Sequence, residues 1–170
     1  LVHKLIDAMN IEKVTPCILF SSSIQEGNGS EYAICKEETR KLLANWANEH
    51  KTGFLGMMFP NLFGPGAKPY SHSFIATFCH QLTHDTEPQI FVDNIVSLKY
   101  IDTIVNEILE YIEITTKDKT VSSIQIQPEY KLRVTEVLEI LRKIKNGKLP
   151  TDKMEKAFYE TYNSYIDYGK

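Results

Sequence analysis

The sequence has 170 residues, enough for one domain with a sizeable core and short for two comfortable ones. Charges of both signs are mixed and the formal net charge is −3 at pH 7, so no electrostatic footprint marks nucleic acid or an anionic membrane surface as a partner. No apolar run approaches the roughly 20 residues of a membrane span, and the first residues lack a charged-then-apolar leader, so no signal peptide is expected.

In chain order, apolar residues at helical spacing (Leu1, Leu5, Ile6, Met9) predict an opening helix. The run from Val14 to Phe20 predicts a buried strand, ended by Ser21, Ser22 and Ser23. A polar loop containing Gly27 and Gly29 follows. A long amphipathic helix then runs from Tyr32 to His50, with Ile34, Leu42, Leu43, Trp46 and Ala47 expected on its buried side. Residues 53–59 predict a second buried strand, and residues 61–66 a loop rich in turn residues. Residues 73–84 look helical, 90–92 and 97–100 predict short strands, and Asp102 is placed to cap a helix through Ile104 and Ile112. Val121, Ile124 and Ile126 suggest another strand. Thr135 is placed to cap a helix closed by Gly147, and a last helix opens near Thr151 or Asp152 with Glu155 available for a capping box. Strands alternating with helices predict an α/β fold with a mainly parallel sheet.

The pattern that carries chemistry is composite: a strand ending in three serines, then Tyr32 and Lys36 four residues apart, on one face of a helix. A phenol titrates near pH 10 and is a poor acid at neutral pH, but a neighbouring ammonium favours the phenolate and brings proton exchange into range. A serine at the strand end can hydrogen-bond the same substrate oxygen and orient it. Taken alone, Tyr-x-x-x-Lys is more often a solvated helix turn; the serine-ended strand changes those odds.

The order strand, Ser21-Ser22-Ser23, Tyr32-x-x-x-Lys36, apolar strand, then residues 60–66 (Pro-Asn-Leu-Phe-Gly-Pro-Gly) resembles the extended short-chain dehydrogenase/reductases of the NAD-dependent epimerase/dehydratase family. Within them the stretch 59–81, with Ser22-Ser23-Ile24-Gln25 and the closing 159–165 segment, is similar to bacterial capsular-polysaccharide reductases that reduce a 4-keto-6-deoxy UDP-amino sugar. The resemblance implies a Rossmann-type fold with a small substrate lobe, to which residues 60–128 contribute much. It implies that Ser23 polarises the keto group, with Ser22 as its neighbour, that Tyr32 donates the proton, and that Lys36 binds the nicotinamide ribose and favours the ionised phenol. Pro60 and Leu62 would lie near the nicotinamide, Asn61 near the sugar or its diphosphate, and Lys68, Tyr70 and His72 against the nucleotide sugar. The cofactor is NADP or NAD, the setting cytoplasmic, and a homodimer through the first two helices is implied, as is a metal-binding cupin domain near or after Lys170. Where the family usually has Arg two residues before Pro60, this chain has Met58.

A glycine-rich phosphate loop of the kind that opens such folds is not in this sequence. Gly27-x-Gly29 opens a helix, but its third position is Tyr32. The chain therefore reads as a C-terminal part of a reductase, 1–170, expected to be inactive and not to bind NADPH by itself. The rival readings are a nucleotide-sugar 4-epimerase using the same residues, and a non-catalytic binding or assembly module. No metal site is predicted: His80 and His84 have ligand spacing, but Gln81 stands where a zinc protease needs its Glu. Three widely spaced cysteines (Cys17, Cys35, Cys79) suit a reducing compartment better than a disulfide framework.

Overall fold

A proline sets where the first strand begins. Pro16 has no N–H for a ladder, and strand β1 spans Ile18–Ser23 rather than starting at Val14. The three serines are its last half, as the sequence predicts. The computed structural model describes residues 1–168; it falls into one unit of Leu1–Pro60 with Asn106–Gln127 and a second of Asn61–Val105 with Pro128–Lys170, of which 169 and 170 lie outside the described residues.

In the first unit, helix α1 (Val2–Ile11) precedes β1, and helix α2 (Glu31–Glu49) joins it to strand β2 (Phe54–Phe59). Strand β5 (Val121–Gln125) completes a sheet of order β1-β2-β5 in which both pairings are parallel. α2 lies against all three strands. Leu43, Trp46 and Ala47 bury themselves with Met9 and Phe54, and the Trp46 indole N–H donates to Asn10 Oδ1 at 2.9 Å. Ile34, expected inside, is 46% exposed; the helix is turned so that Ala33 takes the buried position instead.

The second unit starts where β2 ends. The turn-rich stretch after Pro60 holds a short strand, β3 (Asn61–Phe63), parallel to β4 (Ile95–Tyr100), which pairs antiparallel with β6 (Tyr130–Arg133). Residues 90–92 are not a strand, and Phe91 is 89% exposed. Helices α3 (Phe74–Thr83), α5 (Val134–Lys145) and α6 (Lys153–Asn163) pack on one another around Phe78, Cys79, Leu98, Leu141 and Phe158. Phe63 stacks on Phe158 with ring centroids 4.6 Å apart. Burial pushes the Cys79 thiol well up, so it is a small core residue. Tyr162 and Tyr165 of the tyrosine-rich face are buried as well, which makes that face a packing surface.

Helix α4 (Ile101–Asp118) begins in the second unit and ends in the first. Asp102 lies inside its first turn rather than capping it. The N–H of Tyr100 just before the helix, and the Thr103 hydroxyl, both donate to the Glu129 carboxylate, at 3.0 and 3.1 Å. α5 behaves alike: Thr135 is within the helix, and its N–H donates to Asp93 Oδ1 at 3.0 Å. Both ends are served by carboxylates distant in sequence. α5 has a local acceptor as well, the Arg133 N–H donating to Glu136 of its first turn at 2.6 Å, and α6 is likewise capped locally. Asp152 accepts the Glu155 N–H at 2.8 Å, and the Glu155 carboxylate accepts from the Thr151 N–H at 2.9 Å. Asp152→Ala is expected to lower stability by about 1 kcal/mol, with Asp152→Asn near neutral because it keeps the acceptor; urea midpoints at unchanged slope would show it.

Candidate active site

The last residues of β1 sit beside the end of β2, with Ser21, Ser22 and Ser23 opposite Met57, Met58 and Phe59. The pairing runs one residue further, through the Ile24 N–H to Phe59 O at 3.0 Å. Two of the three serines are buried, Ser22 at 5% and Ser23 at 9% exposure, and a buried hydroxyl needs a partner. Ser22 Oγ donates to the carboxylate of Glu26. Ser23 Oγ accepts the Gln25 N–H at 3.1 Å.

Gly27 and Gly29, at φ +83° and +79°, turn the chain into α2, whose first turn is capped by Ser30 accepting the Ala33 N–H. That cap places Tyr32 in the first turn and Lys36 one turn on. Lys36 Nζ donates to Ser21 O at 2.9 Å. The same nitrogen lies 5.8 Å from the Tyr32 ring centroid and 5.3 Å from that of Phe20. The phenol is half exposed, so one ammonium joins the serine strand to an open tyrosine. Ser22, Ser23, Tyr32, Lys36 and Pro60 all belong to the first unit, with Pro60 buried directly after β2.

Asn61, Leu62, Lys68, Tyr70 and His72 belong to the second unit. Asn61 is exposed, and its amide donates to Ser97 O at 3.2 Å; Leu62 pairs in register with Lys99. The loop that carries Lys68 is held from behind by the Tyr165 hydroxyl, which donates to Ala67 O at 2.6 Å and whose own ionisation burial pushes up to about 12. Tyr70 sits at φ +56°, a left-handed conformation unusual for a bulky residue, and its N–H is fixed by Thr77 Oγ1 at 2.9 Å. Tyr70 and His72 line a cavity of about 770 Å³, with Phe74, Gln81, Phe91 and Asn94 among its other walls. Lys68 is exposed and does not line it. The imidazoles of His80 and His84 lie with ring centroids 4.1 Å apart, tilted by 42°, and among the described residues no group of three or more His, Cys, Asp or Glu is arranged to hold a metal.

Two residues at this strand end escape a reading of local motifs. Arg40 of α2 grips Glu26 with Nε and Nη2, at 2.9 and 2.7 Å, and reaches Ser123 of β5 with Nη1 at 3.0 Å. The Arg40 guanidinium holds the Glu26 carboxyl below the usual carboxylate range; burial opposes this and the Ser22 hydrogen bond adds to it. A signal existed: Arg40 lies seven residues from Ala33, on the stripe continued by Leu43 and Ala47, and a charge on a buried stripe demands a partner.

The sequence pattern of the NAD dependent epimerase/dehydratase family matches residues 11–115, more than half of the chain. The chain belongs to that family. Residues matching over 88% of the chain are 29% identical to the UDP-2-acetamido-2,6-beta-L-arabino-hexul-4-ose reductase of Pseudomonas aeruginosa, of which they cover 41%. A crystal structure of the capsular polysaccharide assembling protein CapF from Staphylococcus aureus superposes with a TM-score of 0.85, at 32% identity, over 97% of this chain and 47% of that one. A UDP-glucose 4-epimerase from Thermotoga maritima shares the fold, with a TM-score of 0.78 at 18% identity, over 96% of this chain and 67% of that one. The chain thus spans less than half the length of the reductase and of CapF. The mixed α/β architecture with its parallel sheet is that of these Rossmann-type structures, as the sequence predicts. Among the described residues, no helix is long and apolar enough to cross a membrane.

Proposed function

We infer that this chain supplies the proton-donating and substrate-binding part of an NADPH- or NADH-dependent reductase of a 4-keto nucleotide sugar. The substrate would be of the UDP-2-acetamido-2,6-dideoxy-hexos-4-ulose type, consumed in capsule or O-antigen polysaccharide synthesis. The activity is that of an intact protein longer than this chain. One observation carries the reading: Lys36 Nζ is bonded to the backbone of the serine strand while facing the Tyr32 ring. That juxtaposition sets a fixed positive charge beside the hydroxyl we assign as proton donor, where it can offset the negative charge left by proton transfer.

The donor set fits a nicotinamide riboside. Lys36 spends one of its three N–H groups on Ser21 O, leaving two for vicinal ribose hydroxyls. The cofactor, when bound, supplies the hydride. Ser23 accepts the Gln25 N–H and keeps its own proton to donate to the keto oxygen, which it orients. Tyr32 gives its proton to that oxygen as carbonyl becomes alcohol, and the Lys36 ammonium offsets the phenolate left behind. In the second unit, the 770 Å³ cavity lies in the size range of small-molecule sites, and its aromatic walls suit a nucleotide base. Lys68 and Asn61 are the polar groups that we assign to the diphosphate sugar.

The same reading places a homodimer on the exposed apolar residues of α1 and α2, among them Leu5 and Ile34. The three cysteines are free, which suits a cytoplasmic setting. A cupin domain near or after Lys170 would lie outside the described residues. Incubation of the intact protein with NADPH or NADH and a panel of 4-keto nucleotide sugars tests the reading. Stoichiometric cofactor oxidation with formation of the 4-hydroxy sugar is expected. Interconversion of 4-hydroxy epimers without net cofactor oxidation would identify a 4-epimerase instead. Neither turnover nor nicotinamide binding would leave a non-catalytic module.

A further inference from the structure

The two buried serines of the strand end have different hydrogen-bond states, and Glu26 sets both. A hydroxyl has one proton to give and two lone pairs to fill. The Ser22 proton is committed to the Glu26 carboxylate, so Ser22 has none left for a substrate. Ser23 is bonded in the opposite sense. Its Oγ accepts the Gln25 N–H, and its backbone carbonyl accepts the Glu26 N–H at 3.1 Å, leaving the hydroxyl proton unspent. Both of those bonds exist because residues 23–26 make a turn, and Glu26 is the residue by which that turn is anchored.

The anchor is Arg40. Its fork meets both carboxylate oxygens, Nε at 2.9 and 3.1 Å and Nη2 at 2.7 Å, a paired geometry stronger and more directional than a single bond. The remaining nitrogen reaches Ser123 Oγ on β5. Its stem crosses β2 at Gly56, where a Cβ would come within 2.6 Å of Arg40 Cδ. The guanidinium is therefore fixed to the helix of Tyr32 and Lys36, to two strands, and to the turn after Ser23. The Glu26 side chain is 8% exposed and that of Arg40 18%, so solvent screens the pair less than a surface bridge.

We propose that Glu26 and Arg40 are positioning residues for the reduction: together they commit the Ser22 proton, hold the 23–26 turn, and so leave Ser23 as the serine whose proton meets the substrate carbonyl. The proposal rests on the reductase reading above. It explains why this strand end can carry adjacent serines and still present one donor in one direction.

The test uses the intact protein with Glu26→Gln, and with the milder Glu26→Asp, which keeps the charge and shortens the reach. For Glu26→Gln, kcat is expected to fall about tenfold, with KM for the keto sugar and for the nicotinamide within about twofold of wild type, because orientation at the reacting carbonyl is what is lost. Glu26→Asp is expected to lose less. In a Ser23→Ala background the Glu26→Gln change should cost nothing further, since a residue that acts through Ser23 has nothing left to position. A merely structural pair would lower activity by the same factor in both backgrounds, and that result overturns the proposal. Amide hydrogen exchange at Gln25 is read on the same proteins: faster exchange in Glu26→Gln is expected, and unchanged exchange also overturns it. If the wild-type protein reduces no 4-keto sugar, the reductase reading fails, while the Gln25 exchange still decides whether Glu26 holds the turn.

Discussion

Tyr32→Phe in the intact protein is expected to lower kcat for 4-keto sugar reduction by about 10²–10⁴-fold, the usual worth of a positioned general acid. The substitution removes one hydroxyl and keeps the ring. That ring is 51% exposed and no core contact depends on the oxygen, so stability should stay within about 0.5 kcal/mol of wild type. KM for the nucleotide sugar should change little, because the proton moves only as the carbonyl is reduced and its transfer is an interaction of the transition state. Nicotinamide binding should survive too, since Lys36 keeps its bond to Ser21 O without the phenol. Parallel measurement of kcat, both KM values and a thermal midpoint checks this. A Tyr32→Phe protein with wild-type kcat would remove Tyr32 from the chemistry and with it the proposed mechanism.

The features behind that expectation were legible because they are local. Tyr32 and Lys36 are one helical turn apart, the serines are contiguous, and Val, Ile and Phe mark the strands around them. The helix phase was less legible: Ile34 is more apolar than Ala33, but the close packing of α2 on the sheet favours the small residue, so the larger one faces out. β3 was hidden among turn residues because three residues of Asn-Leu-Phe give too short a run to show a period; parallel pairing with β4 makes them a strand. The caps of α4 and α5 were misplaced for a more general reason. Asp102 and Thr135 satisfy the local rule, but Glu129 and Asp93, 29 and 42 residues away from their partners, supply acceptors, joined at α5 by the local Glu136. No local pattern encodes a tertiary cap. The Glu26–Arg40 pair, separated by a loop and nearly three helix turns, was unreadable for the same reason, except through the anomaly of a charge on the buried stripe of α2.

That pair carries the second large effect. Arg40→Ala leaves the Glu26 carboxylate largely buried, with the Ser22 proton as its remaining partner, and strips the stem that lies on Gly56. Breaking a fully buried pair at one partner costs about 3–5 kcal/mol; Arg40 keeps 18% exposure, so about 2–3 kcal/mol is expected at neutral pH. The pH dependence separates this from simple loss of packing. In the wild-type protein the folded Glu26 carboxyl titrates below its unfolded value, so its contribution is complete above the ordinary carboxylate range near pH 4.3 and fades as pH falls through the lower folded value. Without Arg40, burial dominates and the folded carboxyl titrates above its unfolded value. The variant is then penalised most at neutral pH and recovers relative to wild type as acid protonates Glu26. Urea unfolding at neutral and mildly acidic pH should therefore show a gap that narrows on acidification. Replacing both partners, as Glu26→Gln with Arg40→Met, should restore much of the stability because no buried charge is stranded. A gap independent of pH, or a double variant no better than Arg40→Ala, would mean that the stem of Arg40 matters for its volume and the ion pair contributes little.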